Sequence, residues 1–129
     1  MTAPLLFTPY TLRGVTLRNR VVLSPMCQYV AEEGRVTDWH VIHHGKYATG
    51  GLGLAFVEAT AVTRDGRITH GCTGLWEDGQ IEGLARIVET YHRYGAKVAI
   101  QLNHAGRKGS TERPWDGACP IPPRAVEGP

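Results

Sequence analysis

Val21-Val22-Leu23-Ser24-Pro25-Met26-Cys27-Gln28-Tyr29 is the stretch whose reading decides the fold. An apolar, β-branched run breaks at Ser-Pro and passes at once into a thiol, an amide and a phenol, the pattern of a buried strand with chemistry at its carboxyl end. In parallel α/β folds the reactive groups collect where such strands end. Two further runs share the pattern. Leu52 to Thr60 is one, and Lys97-Val98-Ala99-Ile100-Gln101-Leu102 is the other, running into Asn103-His104-Ala105-Gly106-Arg107-Lys108.

Helical patterns separate these runs. Thr37 is a good N-cap and Asp38 suits a first turn, so a helix is predicted over Asp38 to Thr49, stopped by Gly50-Gly51. Its expected inward stripe is Trp39, Ile42, His43, Lys46 and Tyr47. A second helix is predicted from Gln80 to Tyr94, with Ile81, Leu84, Ile87, Val88 and Tyr91 on one face and Gly95 ending it. Ahead of the first strand, Tyr10-Thr11-Leu12 and Val15-Thr16-Leu17 flank Arg13-Gly14, a spacing for a two-residue hairpin with Gly14 at positive φ, placed to plug the bottom of a barrel. Asp65-Gly66 marks a tight loop or hairpin inside a connection that reaches Trp76. Hairpin, strand, helix, strand, helix, strand is an α/β order that fits either a barrel or an open doubly wound sheet.

Composition narrows the partners. The chain has 129 residues and a net charge of +2, with 14 basic and 12 acidic residues interspersed. No run of one sign supports a nucleic-acid or anionic-membrane surface, which leaves small molecules or like subunits. Cys27, Cys72 and Cys119 form no C-x-x-C, which argues against a zinc ribbon and a disulfide scaffold and makes a reducing cytoplasm the simpler assumption. The amino terminus lacks signal-peptide character, and no apolar stretch approaches the roughly 18 residues of a membrane span. A (β/α)8 barrel takes roughly 250 residues. Residues 1–129 are therefore expected to form a single incomplete domain, with 113–129, rich in proline and without periodicity, an irregular loop.

Several groups carry more than one reading. Gly50-Gly51-Leu52-Gly53 closes a helix and opens a strand, the reverse of a phosphate-cradling loop, so helix termination and close packing account for it. His40, His43 and His44 lie one turn apart, but no third ligand stands at a recognisable spacing, and satisfied buried imidazoles are the commoner outcome. Cys27 is open between a buried thiol and a ligand-facing one. Gln101, an amide ending an apolar strand, needs a partner, either a neighbouring strand end or a heterocycle offering both donor and acceptor. Arg107 and Lys108 are an anion site or a solvated loop tip, and Trp76 and Trp115 read as packing residues.

Leu6-Phe7-Thr8-Pro9, Leu17-Arg18-Asn19-Arg20, Ser24-Pro25-Met26-Cys27-Gln28-Tyr29, Val57-Glu58-Ala59-Thr60-Ala61-Val62 and Gln101-Leu102-Asn103-His104-Ala105-Gly106-Arg107-Lys108 together resemble the Old Yellow Enzyme family of flavin oxidoreductases, NADH:flavin oxidoreductase/NADH oxidase. The match is nearest to the bacterial branch that carries Cys rather than Thr beside the flavin. The resemblance implies the N-terminal part of a (β/α)8 TIM barrel, with FMN at its mouth. It also implies reduction by NAD(P)H and ping-pong hydride transfer to activated alkenes such as enones.

By the same resemblance, Ser24, Pro25, Met26 and Cys27 form a lip for the flavin, with Cys27 tuning its potential. Ala59 is the small residue beside the ring, Gln101 the amide at the pyrimidine edge, and Tyr29 a substrate-pocket phenol. Arg107 and Lys108 match the family's loop cations. The family's substrate-carbonyl grip, its proton-returning tyrosine, an arginine at the flavin and its phosphate-binding loops lie beyond the third strand. The isolated chain is thus expected to be inactive, with no catalytic residue of its own. The alternative is a non-catalytic half-barrel or complementing subunit that associates with another polypeptide, either a second copy or a C-terminal half.

Overall fold

The structure, a computed structural model, describes residues 4–117. The hairpin forms at the expected place: β1 (Tyr10–Leu12) pairs antiparallel with β2 (Val15–Leu17), Tyr10 opposite Leu17. Its turn differs from expectation, because Arg13 takes the left-handed conformation at φ 52° and Gly14 does not.

The apolar runs become a parallel sheet in the order β3 (Val22–Leu23), β4 (Leu54–Ala61), β5 (Lys97–Asn103). Helix α1 (Asp38–Thr49) connects β3 to β4, and α2 (Ile81–Arg93) connects β4 to β5. Gly51 at φ 87° and Gly95 at φ 75° end the two helices, where a side chain would be strained. Two successive β-α-β units lay both helices on one face of the sheet. Ala48 of α1 and Leu84, Ile87 and Tyr91 of α2 pack there with Leu52, Ala55, Val57 and Ala96. Ile87 and Tyr91 are fully buried, and covering a side chain of this size stabilises the fold by roughly 1.5–3 kcal/mol. α2 thus presents the apolar stripe expected of it, except that Ile81 at its start is exposed.

The expected stripe of α1 is wrong apart from Tyr47, which packs against the core. Trp39 and Ile42 are 57% and 71% exposed, and the buried residues are His40, His44 and Ala48. The physical reason is that this face buries imidazoles with polar partners on neighbouring elements, so counting apolar side chains selects the solvent side. Gly53 packs against Asn19, whose backbone and side-chain oxygens lie where a Cβ would stand, so its glycine serves close packing. Asp65-Gly66 makes a tight turn and no hairpin, with the N–H of Gly66 donating to Thr63 O and Oγ1, both at 3.1 Å. Of the stretch expected as an irregular loop, Arg113 to Gly117 carries a short turn over Pro114–Asp116, and the rest lies outside the described residues. No helix among the described residues is long and apolar enough to cross a membrane.

Candidate functional site

At the carboxyl ends of the parallel strands Ala59 of β4 stands opposite Gln101 of β5, and the segment holding Ser24 to Tyr29 follows β3. Pro25 follows β3, and a proline offers no N–H for the ladder. The chain leaves the sheet there and crosses toward the end of β4. On β4 the register slips at Glu58: Val57 pairs with Ile100, yet Ala59 pairs with Gln101, so one extra residue is accommodated. The bulge lets Val57 join the helix-side core while Glu58 also reaches helix α1. Ala59, 6% exposed, is thereby level with Gln101 on the next strand.

Glu58 organises the segment after β3. Its Oε2 accepts the backbone N–H of Gln28 at 2.8 Å, and its Oε1 lies 3.1 Å from Nε2 of His40, both side chains 1% exposed. Nδ1 of His40 accepts the N–H of Thr37 at 3.0 Å, so the ring's proton sits on Nε2, toward the carboxylate. The contact is oblique and falls short of a well-aligned hydrogen bond. Gln28 closes the loop on itself, its Nε2 donating to Met26 O at 2.9 Å while its Oε1 accepts Trp39 Nε1–H at 3.0 Å.

Cys27 is half-buried, and Cys72 Sγ lies 3.4 Å from the backbone N of Thr69. The hydrogen bond with Cys72, then burial and the charge of Glu58, push the Cys27 thiol far up. The same bond, helped by donors from Thr69, lowers Cys72 to about 6. The thiolate form is favoured at Cys72, where the donors of Thr69 outweigh the cost of burial. Burial and the neighbouring sulfurs also raise Tyr29.

Tyr29 itself sits at φ 57°, a left-handed conformation that costs a non-glycine residue of order 1–3 kcal/mol. Gly71 lies flat on its carbonyl where no Cβ would fit, the N–H of Ala31 donates to Gly71 O at 2.9 Å, and the Trp115 ring meets the phenol edge-on at 6.2 Å. Ser24 and Met26 are exposed, Pro25 half-buried. The side chain of Gln101 is exposed and has no hydrogen-bond partner among the described residues. The bland reading of Gln101, a bond to a neighbouring strand end, is therefore not realised.

Arg107 and Lys108 stand exposed on the turn Gly106–Lys108. Trp76 is flanked by the guanidinium groups of Arg64 and Arg67, at 5.6 and 5.3 Å from its ring centre. His40 and His44 are buried against Glu58 and Tyr91, and no group of three or more metal-ligating side chains occurs among the described residues. Two site residues went unassigned in the sequence: Glu58, visible only as a carboxylate inside an apolar strand, and Cys72, which carried no local signal.

A model of the NADH:flavin oxidoreductase / NADH oxidase family matches residues 5–128. A NADH:flavin oxidoreductase of Gibberella zeae is 52% identical over 122 residues, covering 95% of this chain and 30% of that protein. The chain thus spans under a third of this relative's length. Among solved structures, morphinone reductase in complex with tetrahydroNAD superposes with a TM-score of 0.75 at 31% identity, over 84% of this chain and 29% of the other. The old yellow enzyme from Trypanosoma cruzi gives 0.72 at 34% identity, over 82% and 28%. A sheet whose strand ends carry Cys27, Ala59 and Gln101, matched along nearly all of its sequence, makes this chain a member of the NADH:flavin oxidoreductase / NADH oxidase family that contains the Old Yellow Enzymes, and its α/β fold part of their TIM barrel.

Proposed function

We propose that the chain supplies one wall of the FMN site of an NAD(P)H oxidoreductase that reduces activated alkenes, with Cys27, Ala59 and Gln101 against the isoalloxazine. The observation that carries this reading is the alignment of three adjacent strand ends. A small buried residue, Ala59, stands beside an exposed amide without a protein partner, and a half-buried thiol closes the third side. A planar heterocycle with donor and acceptor edges is the ligand that would satisfy such a set. The name of morphinone reductase, held in complex with tetrahydroNAD, supports both the nicotinamide and the enone-like acceptor.

FMN, when bound, would supply the hydride-transfer chemistry between NAD(P)H and the alkene in ping-pong form. The chain's own residues position and tune. Ser24, Pro25 and Met26 form the lip, with Pro25 keeping the backbone free of an N–H at the ring face. Gln101 offers a fixed amide dipole where negative charge builds. Cys27 sets the polarity of one ring edge, as in the cysteine-bearing branch of the family, and Tyr29, held in its strained conformation, faces the acceptor.

Residues 1–129 are read as one incomplete domain that needs a complementing half or a second copy, because the α2–β5 side carries an apolar groove lined by Val57, Leu75, Ile81, Val88, Val98 and Ile100. The decisive experiment is Cys27→Thr in the complete barrel, read by flavin midpoint potential. A shifted potential with FMN still bound supports the reading, and an unchanged potential overturns the tuning role. For the isolated chain, little or no turnover is expected. A stoichiometric yellow colour with enone-dependent NADPH consumption would refute that.

A further inference from the structure

Pro25 to Val30 run between β3 and α1 without regular structure, and among the described residues they form no hydrogen bond from main chain to main chain. The bond from Ala31 N–H to Gly71 O closes the segment at its far end. Between these points Gln28 holds it. The side chain of Gln28 donates to Met26 O at 2.9 Å and accepts Trp39 Nε1–H at 3.0 Å, both exposed contacts, while its backbone N–H donates to Glu58 Oε2 at 2.8 Å. Of these three bonds only the last reaches the sheet, and Glu58 is 1% exposed. Behind it, Glu58 Oε1 lies 3.1 Å from Nε2 of His40, whose Nδ1 accepts the N–H of Thr37 at the start of α1. A peptide group is planar, so fixing the N–H of Gln28 also fixes the carbonyl and the Cα of Cys27.

We propose that Glu58 is a positioning residue for the cofactor wall: braced by His40, it fixes the peptide between Cys27 and Gln28 and so holds Cys27 in its place. The anchoring rests on the two contacts of the carboxylate, and only its bearing on flavin rests on the function proposed above. Burying a carboxylate in an apolar strand is costly, and the hydride chemistry makes no use of this one. The bulge of β4 belongs to the same arrangement. Side chains alternate along a regular strand, and Val57 already packs in the helix-side core. The extra residue between Val57 and Ala59 lets Glu58 turn to α1 as well, while Ala59 stays opposite Gln101. His40 thus acts on the segment through Glu58. Without the carboxylate, Gln28 keeps only its exposed side-chain bonds, which water replaces readily. Cys27 would then sample several positions, and a ring lying against it would meet a less defined edge.

The test uses the complete barrel, first without FMN and then with it. Without FMN, Glu58→Ala is expected to speed amide hydrogen exchange at Gln28 roughly tenfold or more, and Cys27 should react faster with iodoacetamide. Glu58→Gln, which keeps an oxygen for the N–H of Gln28, should retain most of the protection. Leu84→Ala, a core change on α2, should destabilise the barrel without either effect. Should Glu58→Ala fail to fold, His40→Phe removes the brace alone and should give a smaller rise in exchange. With FMN bound, His40→Phe leaves the carboxylate in place and should still shift the flavin midpoint potential. Unchanged exchange at Gln28 in the Glu58 variant, or in His40→Phe where that variant does not fold, overturns the proposal, as does an equal rise in Leu84→Ala. Faster exchange with an unchanged potential keeps the anchor and overturns its bearing on flavin. Failure of the Cys27→Thr test would strike the tuning role of Cys27 and leave the exchange result standing.

Discussion

Nε2 of His40 lies 3.1 Å from Oε1 of Glu58, with both side chains 1% exposed. The pair joins helix α1 to the bulge of β4, and the second carboxylate oxygen holds the N–H of Gln28 beside Cys27. Removing one member of such a buried pair strands the other without its partner. Glu58→Ala should therefore cost about 1–3 kcal/mol, while Glu58→Leu combined with His40→Phe should cost clearly less than the sum of Glu58→Leu and His40→Phe. Urea unfolding in a double-mutant cycle measures the coupling, and strict additivity would refute it.

His44 gives the fold an acid-sensitive seam between α1 and α2. Its Nδ1 meets the Tyr91 hydroxyl at 2.8 Å, and burial first, then the neighbouring imidazoles of His43 and His40, lowers it from 6.5 to about 4. The unfolded chain takes up this proton at higher pH than the folded one, so the contribution is fully present above pH 6.5 and is lost as pH falls toward 4. The loss amounts to roughly 3 kcal/mol. His44→Gln should flatten the dependence of the urea midpoint on pH across that window, and an undiminished slope would assign the acid sensitivity elsewhere.

Gly34 sits at φ 75°, and a Cβ there would run into the Trp76 ring and Nε2 of Gln80. That nitrogen is already committed to Glu33 O at 3.1 Å, while the Oε1 of Gln80 accepts the N–H of Trp76 at 2.8 Å. Neither neighbour has room to yield cheaply. Gly34→Ala should lower stability by about 2 kcal/mol or more, and thermal melting that shows no loss would mean the turn rearranges freely.

Gln101 separates structural from functional roles, because its exposed side chain touches no hydrogen-bond partner among the described residues. Gln101→Leu should leave unfolding within about 0.5 kcal/mol of the parent. In the complete barrel it should weaken FMN binding roughly tenfold, the equivalent of about 1.4 kcal/mol. Fluorescence titration of FMN decides, and unchanged affinity would remove Gln101 from the wall.

The order of elements was legible because each signal is local. Thr37 and Gly50-Gly51 bracket α1 at Asp38–Thr49, and Leu84, Ile87 and Tyr91 repeat at helical spacing along α2. Lys97–Asn103 is an uninterrupted strand. Caps, periodicity and β-branched runs act within a few residues, so the chain determines them unaided, and the positions of Ala59 and Gln101 near the strand ends follow from where those runs stop. The inward face of α1 was not legible: burying His40 and His44 is tolerable only because Glu58 and Tyr91 arrive from other elements. Nor was the slip at Glu58, which exists only in the pairing of β4 with β5. Burial of a polar group is decided by its partner, and partners distant in sequence are brought together only when the sheet and helices have packed.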